Sequence, residues 1–159
     1  MKILITGGCG FVGSNIAIYL KNKLKGAKIS SLDSLTRKGS QLNKERLKNL
    51  KIKNYKIDIV NFNKIKTLPK FNLIIDCCAE PAIEASKKNP DKVFNTNLIG
   101  TFNCCNNSLK YLRGGVIINI SSINSYLAFP NNPGYVSSKG GVKSLTRALA
   151  LDYSKHKIR

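Results

Sequence analysis

Histidine occurs once in this chain, and acidic residues number only 8 against 27 lysines and arginines. The lone His156, near the end of a basic helical stretch, reads as a solvated side chain, and no metal site is expected. No apolar run approaches the roughly 18 residues of a membrane span, so no membrane partner is expected. No secretory signal pattern precedes the first strand-like run. The five cysteines are Cys9 and two adjacent pairs, Cys77–Cys78 and Cys104–Cys105, with no C-x-x-C spacing. That set fits neither a zinc site nor a disulfide framework, and reads as small buried residues of a reducing compartment. A cytoplasmic protein is the expectation. Internal repeats, low-complexity tracts and linkers are missing too, and 159 residues suit one domain with a substantial core.

The shortage of acid leaves a formal net charge of +19. A strongly basic chain raises the question of a nucleic-acid partner. The basic residues form no single block, however. They spread over Lys21–Lys28, Lys44–Lys56, Lys64–Lys70, Lys87–Lys92 and the C-terminal tail. A lysine-rich solvated surface is the plainer reading, with a field that attracts an anionic small substrate as the second. No nucleic acid is expected.

What is present is a strand, a glycine turn and a helix. Lys2–Thr6 (KILIT) is aliphatic on both faces, as a buried parallel strand is. Gly7, Gly10 and Gly13 follow at a spacing of three, and Ser14–Leu24 carries Ile16, Leu20 and Leu24 at helical intervals. In such a turn the first glycine allows the bend and the second lets a pyrophosphate approach the backbone. The third packs the helix against the sheet, and the helix N-terminus offers N–H groups to the phosphates. Phe11 and Val12 lie in the same loop and join the cofactor-binding candidates. Asp33 stands twenty positions beyond Gly13, ending a second strand-like run, Lys28–Asp33. A carboxylate there accepts both hydroxyls of an adenosine ribose and repels a 2′-phosphate, which favours NAD. Arg37 and Lys38 keep NADP as the second choice.

Further strands are expected at Tyr55–Ile59, Leu73–Cys77 and Val116–Ile120. Helices are expected at Leu42–Leu50, Phe62–Leu68, Lys92–Tyr111 (capped by Asp91) and Tyr135–Lys155. The alternation implies right-handed crossovers and an α/β doubly wound parallel sheet of five strands, ordered 3-2-1-4-5. Ligands then bind at the carboxyl ends of the strands.

Tyr135 and Lys139 are one helical turn apart and share a face. A free tyrosine is a poor base near neutral pH, but a neighbouring ammonium and a positive nicotinamide ring both favour the phenolate. Tyr135 can then exchange a proton with an alcohol or ketone, and Lys139 can hold the nicotinamide ribose. Ser122 ends the fifth strand and can hydrogen-bond the reacting oxygen. Asn97, inside a helix, can hold a water that links Lys139 to solvent.

With these residues in place, the chain resembles the short-chain dehydrogenase/reductase superfamily along essentially its whole length. Residues from Met1 to about Leu112 are similar to the sugar-nucleotide epimerases and dehydratases, especially CDP-paratose 2-epimerase-like proteins. The matching stretches are ITGGCGFVGSN at 5–15, LDSLTRKGS at 32–40, CCAEPAIEAS at 77–86 and NTNLIGTFN at 95–103. From about Gly114 the chain is similar to the 3-oxoacyl-carrier-protein reductases, through IINISS at 117–122 and YVSSKGGVKSLTRALA at 135–150. The resemblance implies a Rossmann-like NAD(P)-binding domain whose last strands would follow Arg159. It also implies that Asp58 and Ile59 hold the adenine and that Cys78 and Ala79 line the cofactor. Asn97, Ser122, Tyr135 and Lys139 would be the catalytic four. A homodimer and a small-molecule substrate, a nucleotide-sugar among them, are implied by analogy. Two departures stand out. CCAE replaces an Asn-Asn-Ala-Gly type of turn, and Ile-Asn-Ser follows Ser122 where dehydratases carry an Asp-Glu pair, so dehydration is disfavoured. An epimerase, a net ketone reductase and an inactive cofactor-binding fragment are the functions to separate.

Overall fold

The computed structural model describes residues 1–80 and 87–159. The last six residues of the CCAEPAIEAS stretch, 81–86, lie outside the described residues. The chain divides into two compact units, Met1–Cys78 and Ala79–Arg159.

The first unit alternates β1 (Lys2–Thr6), α1 (Phe11–Lys23), β2 (Lys28–Leu32), α2 (Ser40–Asn49), β3 (Lys53–Tyr55), α3 (Phe62–Ile65) and β4 (Leu73–Asp76). Its four strands pair in parallel in the order β3-β2-β1-β4. This is the α/β Rossmann-like order expected for the first four strands. The aliphatic β1 takes the centre, where both faces are covered: Ile3 and Ile5 are fully buried. Ala17 of α1, Leu47 of α2, Ile29 and Ile52 complete the core around them. In register, Thr6 stands opposite Leu32 and Asp76, so three strands end level at the carboxyl edge.

Two boundaries differ from expectation. Helix α1 begins at Phe11, three residues early, because Gly10 takes the extended N-cap conformation. Strand β3 stops at Tyr55, before Asp58 and Ile59. Asp58 makes its own turn instead: its carboxylate accepts the Val60 N–H at 3.1 Å and its carbonyl accepts that of Asn61. Such a side-chain bond competes with a ladder.

The second unit contains α4 (Pro90–Phe94), a π-helical turn (Asn95–Ile99), α5 (Gly100–Ser108), a 3₁₀ turn (Ile123–Ser125) and α6 (Pro133–Ser154). Asn89, not Asp91, caps α4, accepting the Lys92 N–H at 2.9 Å; Asp91 sits in the first turn. The single helix expected over Lys92–Tyr111 is therefore three segments. Cys105, Leu149, Tyr153 and Ile158 form the core, with Leu109, Leu112, Ile117 and Leu145 packed on it. Val116–Ile120, the expected fifth strand, is not among the strands of the sheet. Its burial still alternates, with Ile117 and Asn119 half-buried between exposed neighbours. The recorded backbone bonds there run within the unit: Ile117 N–H to the Arg159 carbonyl at 2.7 Å, and Arg159 N–H to that of Gly115 at 3.1 Å. One residue of register on each side is too short for a ladder.

Candidate functional site

The candidate residues fall into two sets, one in each unit. In the first unit, the turn after β1 is closed by the Gly10 N–H on the Gly7 carbonyl at 2.9 Å. Gly7 holds a positive φ of 61°, and a Cβ there would lie 2.6 Å from the Cys77 carbonyl oxygen. A Cβ on Gly13 would fall on the carbonyl of Gly7. Backbone fills both places, so neither glycine admits a side chain. A Cβ on Gly10 would meet only that same oxygen, at 3.1 Å. Helix α1 then starts without a side-chain cap and without an acid in its first turn. Phe11 and Val12 are exposed at this end. The arrangement is a glycine cradle beside an uncapped helix N-terminus, which is what an anionic diphosphate requires.

Asp33 is tied into the same loop. One carboxylate oxygen accepts the Cys9 N–H at 3.0 Å, and the other accepts the Leu35 N–H at 2.8 Å. Asn43 holds the loop from the other side, donating to the Cys9 carbonyl at 3.0 Å. Cys9 itself is buried against Ser31, 3.7 Å away, and burial pushes its thiol up from the ordinary range. It is therefore a packing group of the turn rather than a nucleophile.

At the end of β4, the Asp76 carboxylate accepts from the Thr6 hydroxyl and, at 2.9 Å, from the Cys78 N–H. This clamp between two strand ends was not among the expected site residues. Its signal was available: an acid closing an apolar run at the carboxyl edge. Burial, reinforced by Asp76, raises the Cys77 thiol to about 11. Asp58 is exposed in its turn, and Ile59 is buried beside it.

In the second unit, Tyr135 and Lys139 lie on the first two turns of α6. Lys139 is 7% exposed, and its ammonium donates to the Ile120 carbonyl at 3.0 Å. Ser121 returns a bond to the Lys139 carbonyl at 2.9 Å. These two bonds bring the segment carrying Ser122 to the Lys139 turn. The Ser122 hydroxyl caps the 3₁₀ turn, accepting the Asn124 N–H at 3.2 Å. Asn97 sits in the π-helical turn, 1% exposed. Its Oδ1 accepts the Glu80 N–H at 2.8 Å, and its Nδ2 donates to the Ser138 hydroxyl at 3.1 Å. These partners are the loop at Glu80 and the Tyr135 turn, rather than Lys139 itself. Glu80 also pairs with Lys92 at 3.6 Å, and Ala79 is half-buried beside it. Among the described residues, no group of three or more His, Cys, Asp or Glu side chains could hold a metal. No described helix is long and apolar enough to cross a membrane.

The family model for short chain dehydrogenases matches residues 1–159. The chain belongs to that family, whose members include oxidoreductases and sugar-nucleotide epimerases. It is 34% identical to a dTDP-D-glucose 4,6-dehydratase of Dictyostelium discoideum over 174 aligned positions, 92% of this chain and 40% of the relative. Its fold matches the UDP-Glc/GlcNAc 4-epimerase of Campylobacter jejuni with a TM-score of 0.77 at 25% identity, over 99% of this chain and 51% of that one. It also matches carveol dehydrogenase from Mycobacterium avium, solved in complex with NAD, with a TM-score of 0.76 at 22% identity, over 99% of this chain and 67% of that one. The chain thus spans about half the length, or less, of the epimerase and dehydratase relatives.

Proposed function

We propose that this chain carries the NAD-binding half and the proton-transfer residues of an enzyme that oxidises a hydroxyl carbon and reduces it again, as a sugar-nucleotide epimerase does. The observation that carries the reading is the cradle at Gly7, Gly10 and Gly13, joined to Asp33 through the Cys9 amide. A dinucleotide diphosphate fits it: positions where a Cβ would strike backbone are glycine, and the helix end beside them has no competing acid. Asp33 has accepted two N–H groups and keeps lone pairs for the two ribose hydroxyls. Bound there, the nicotinamide supplies a hydride acceptor and donor. Tyr135 would take the hydroxyl proton and return it, Lys139 would hold the nicotinamide ribose, and Ser122 would steady the oxygen. Asp58 and Ile59 would flank the adenine, and Cys78 and Ala79 the cofactor's inner edge. The similarity to the Dictyostelium and Campylobacter enzymes supports a nucleotide-sugar as the substrate class.

Titration of the purified chain with NADH and with NADPH, followed by nicotinamide fluorescence, tests the cofactor half. Saturable binding that prefers NADH is expected, and Asp33→Ala should erase the preference. An unchanged preference in Asp33→Ala would remove that residue from the site, and no binding of either cofactor would end the reading. The second reading, a net reductase, rests on the similarity of residues 135–150 to the 3-oxoacyl reductases. Sustained consumption of added NADH with a ketone would select it over the epimerase.

A further inference from the structure

We propose that Ser138 is a positioning residue for Tyr135, the last link of a hydrogen-bond chain that runs from the backbone at Glu80 to the first turn of α6. The inference rests on reading Tyr135 as the proton-transfer group. Five atoms fix the direction of every proton in the chain. The Glu80 N–H can only donate, so the Asn97 end facing it is the oxygen, at 2.8 Å. That leaves the Asn97 Nδ2 facing Ser138, at 3.1 Å, where the hydroxyl must accept. A hydroxyl has one proton, and this one is directed to the Tyr135 carbonyl at 2.8 Å. Ser138 is fully buried and Asn97 is 1% exposed, so water does not compete for either.

A serine bonding back to a carbonyl three residues earlier is ordinary in helices. Here the surroundings give it weight. Tyr135 is the third residue of α6, and the N-cap residue Asn132 contributes no side-chain bond to that end. The first turn also has no acid to oppose the helix dipole. The Ser138 hydroxyl therefore reinforces a turn with a weak cap, and Asn97 anchors the hydroxyl from outside the helix. The π-helical turn at Asn95–Ile99 is what aims Asn97 at it. The chain also joins residues 41 positions apart, Asn97 and Ser138. A shift of the loop at Glu80 is thereby transmitted to the phenol's backbone.

The test is ¹⁹F NMR of the 159-residue chain labelled with 3-fluorotyrosine, without cofactor. The chain has six tyrosines, and Tyr135→Phe assigns the line of interest. In Ser138→Ala the Tyr135 line should move and broaden while the other five hold, and Ser138→Thr should return it. If alanine prevents folding, Ser138→Cys keeps a weaker donor of similar length and should move the same line by less. A Tyr135 line that stays in place in the folded variant overturns the proposal. So does a common displacement of all six lines, which marks general loosening of the fold. No nicotinamide is present in the experiment, so a failure to bind NADH would not be mistaken for either result.

Discussion

Asp33 in the first unit and Asn97 in the second each fasten one loop to another, and they differ in what remains of their hydrogen-bonding capacity. Asp33 is half-buried and has accepted two backbone N–H groups, from Cys9 and Leu35. A carboxylate has about four acceptor sites, so about half of its capacity remains after these two bonds. Asn97 is buried, and its two ends are committed to Glu80 and Ser138. On the proposed reading, the first would meet the cofactor ribose and the second would hold the Tyr135 turn in place. Such a difference is what would distinguish a binding residue from a positioning residue without reference to any family. The side-chain bonds of Asn97 run to Glu80 and Ser138, and on the proposed reading they make it a link behind Tyr135.

Exchanging the two chemistries is the largest test of this contrast. Asn97→Asp keeps an acceptor for Glu80 but loses the donor to Ser138 and buries a charge. We expect a loss of about 3 kcal/mol or more in urea unfolding. Asp33→Asn keeps an acceptor for one of its two N–H partners, with solvent close by, and should cost only about 1 kcal/mol. Equal losses would erase the distinction between binder and brace.

The glycines sharpen the same contrast within the first unit. Gly13→Ala drives a methyl group into the Gly7 carbonyl, where neither backbone can retreat. A destabilisation of about 1–3 kcal/mol is expected, with loss of NADH binding. Gly10→Ala meets its nearest atom at 3.1 Å, so the fold should hold while NADH affinity falls roughly tenfold, or 1.4 kcal/mol. Thermal unfolding and fluorescence titration of the two variants side by side separate a packing glycine from a ligand-facing one.

How far these features could be read in the sequence depends on how local their causes are. The aliphatic KILIT run, the glycine spacing and the later Asp33 carry their physics within a short stretch, and the alternation of strands with helices carried the order of the first four strands. Ser31 shows the limit. It is a polar residue inside a strand, fully buried because Asn54 and Cys9 reach its hydroxyl from elsewhere. The Asn97–Ser138 bond was invisible for the same reason, since no periodicity encodes a partner 41 residues away. The break of the helix at Asn95–Ile99 was missed because an apolar spacing alone does not report a widened turn. Val116–Ile120 kept its two-residue alternation, but alternation specifies extension and not a partner.

Alkali addresses the two units separately. Burial, then Asp76, raises the Cys77 thiol in the first unit from 9.0 to about 11. Burial, then Cys105 and Asp152, raises the Tyr153 phenol in the second. Each is an acid whose neutral form is favoured by folding. The stability it contributes is complete below its unfolded value and is lost as pH rises through the folded one. Cys77→Ala should therefore remove the part of the alkaline loss that begins near pH 9 and extends to about 11. Tyr153→Phe should remove a part that begins later, near the ordinary phenol value of 10.0. Thermal midpoints measured across this range give the two slopes, and a single slope unaffected by either variant would contradict the assignment.

The smallest effect lies in α6, where glycine has the opposite meaning from the β1 turn. Gly140 is inside the helix, and a Cβ built on it meets nothing within 4 Å among the described residues. Its cost is the conformational freedom it adds to the unfolded chain, so Gly140→Ala should stabilise by about 0.5–1 kcal/mol. Its neighbour Gly141 is a different case. A Cβ there would lie 2.8 Å from a Leu98 methyl, the movable end of a flexible side chain. Leu98 stands next to Asn97 in the π-helical turn, so its displacement offsets the helical gain, and a change near zero is expected for Gly141→Ala. Chemical unfolding resolves the two. A gain at Gly140 with none at Gly141 places the tight packing of α6 against the turn that carries Asn97. Equal gains at both would mean that this turn yields freely, and that Asn97 braces Tyr135 only loosely.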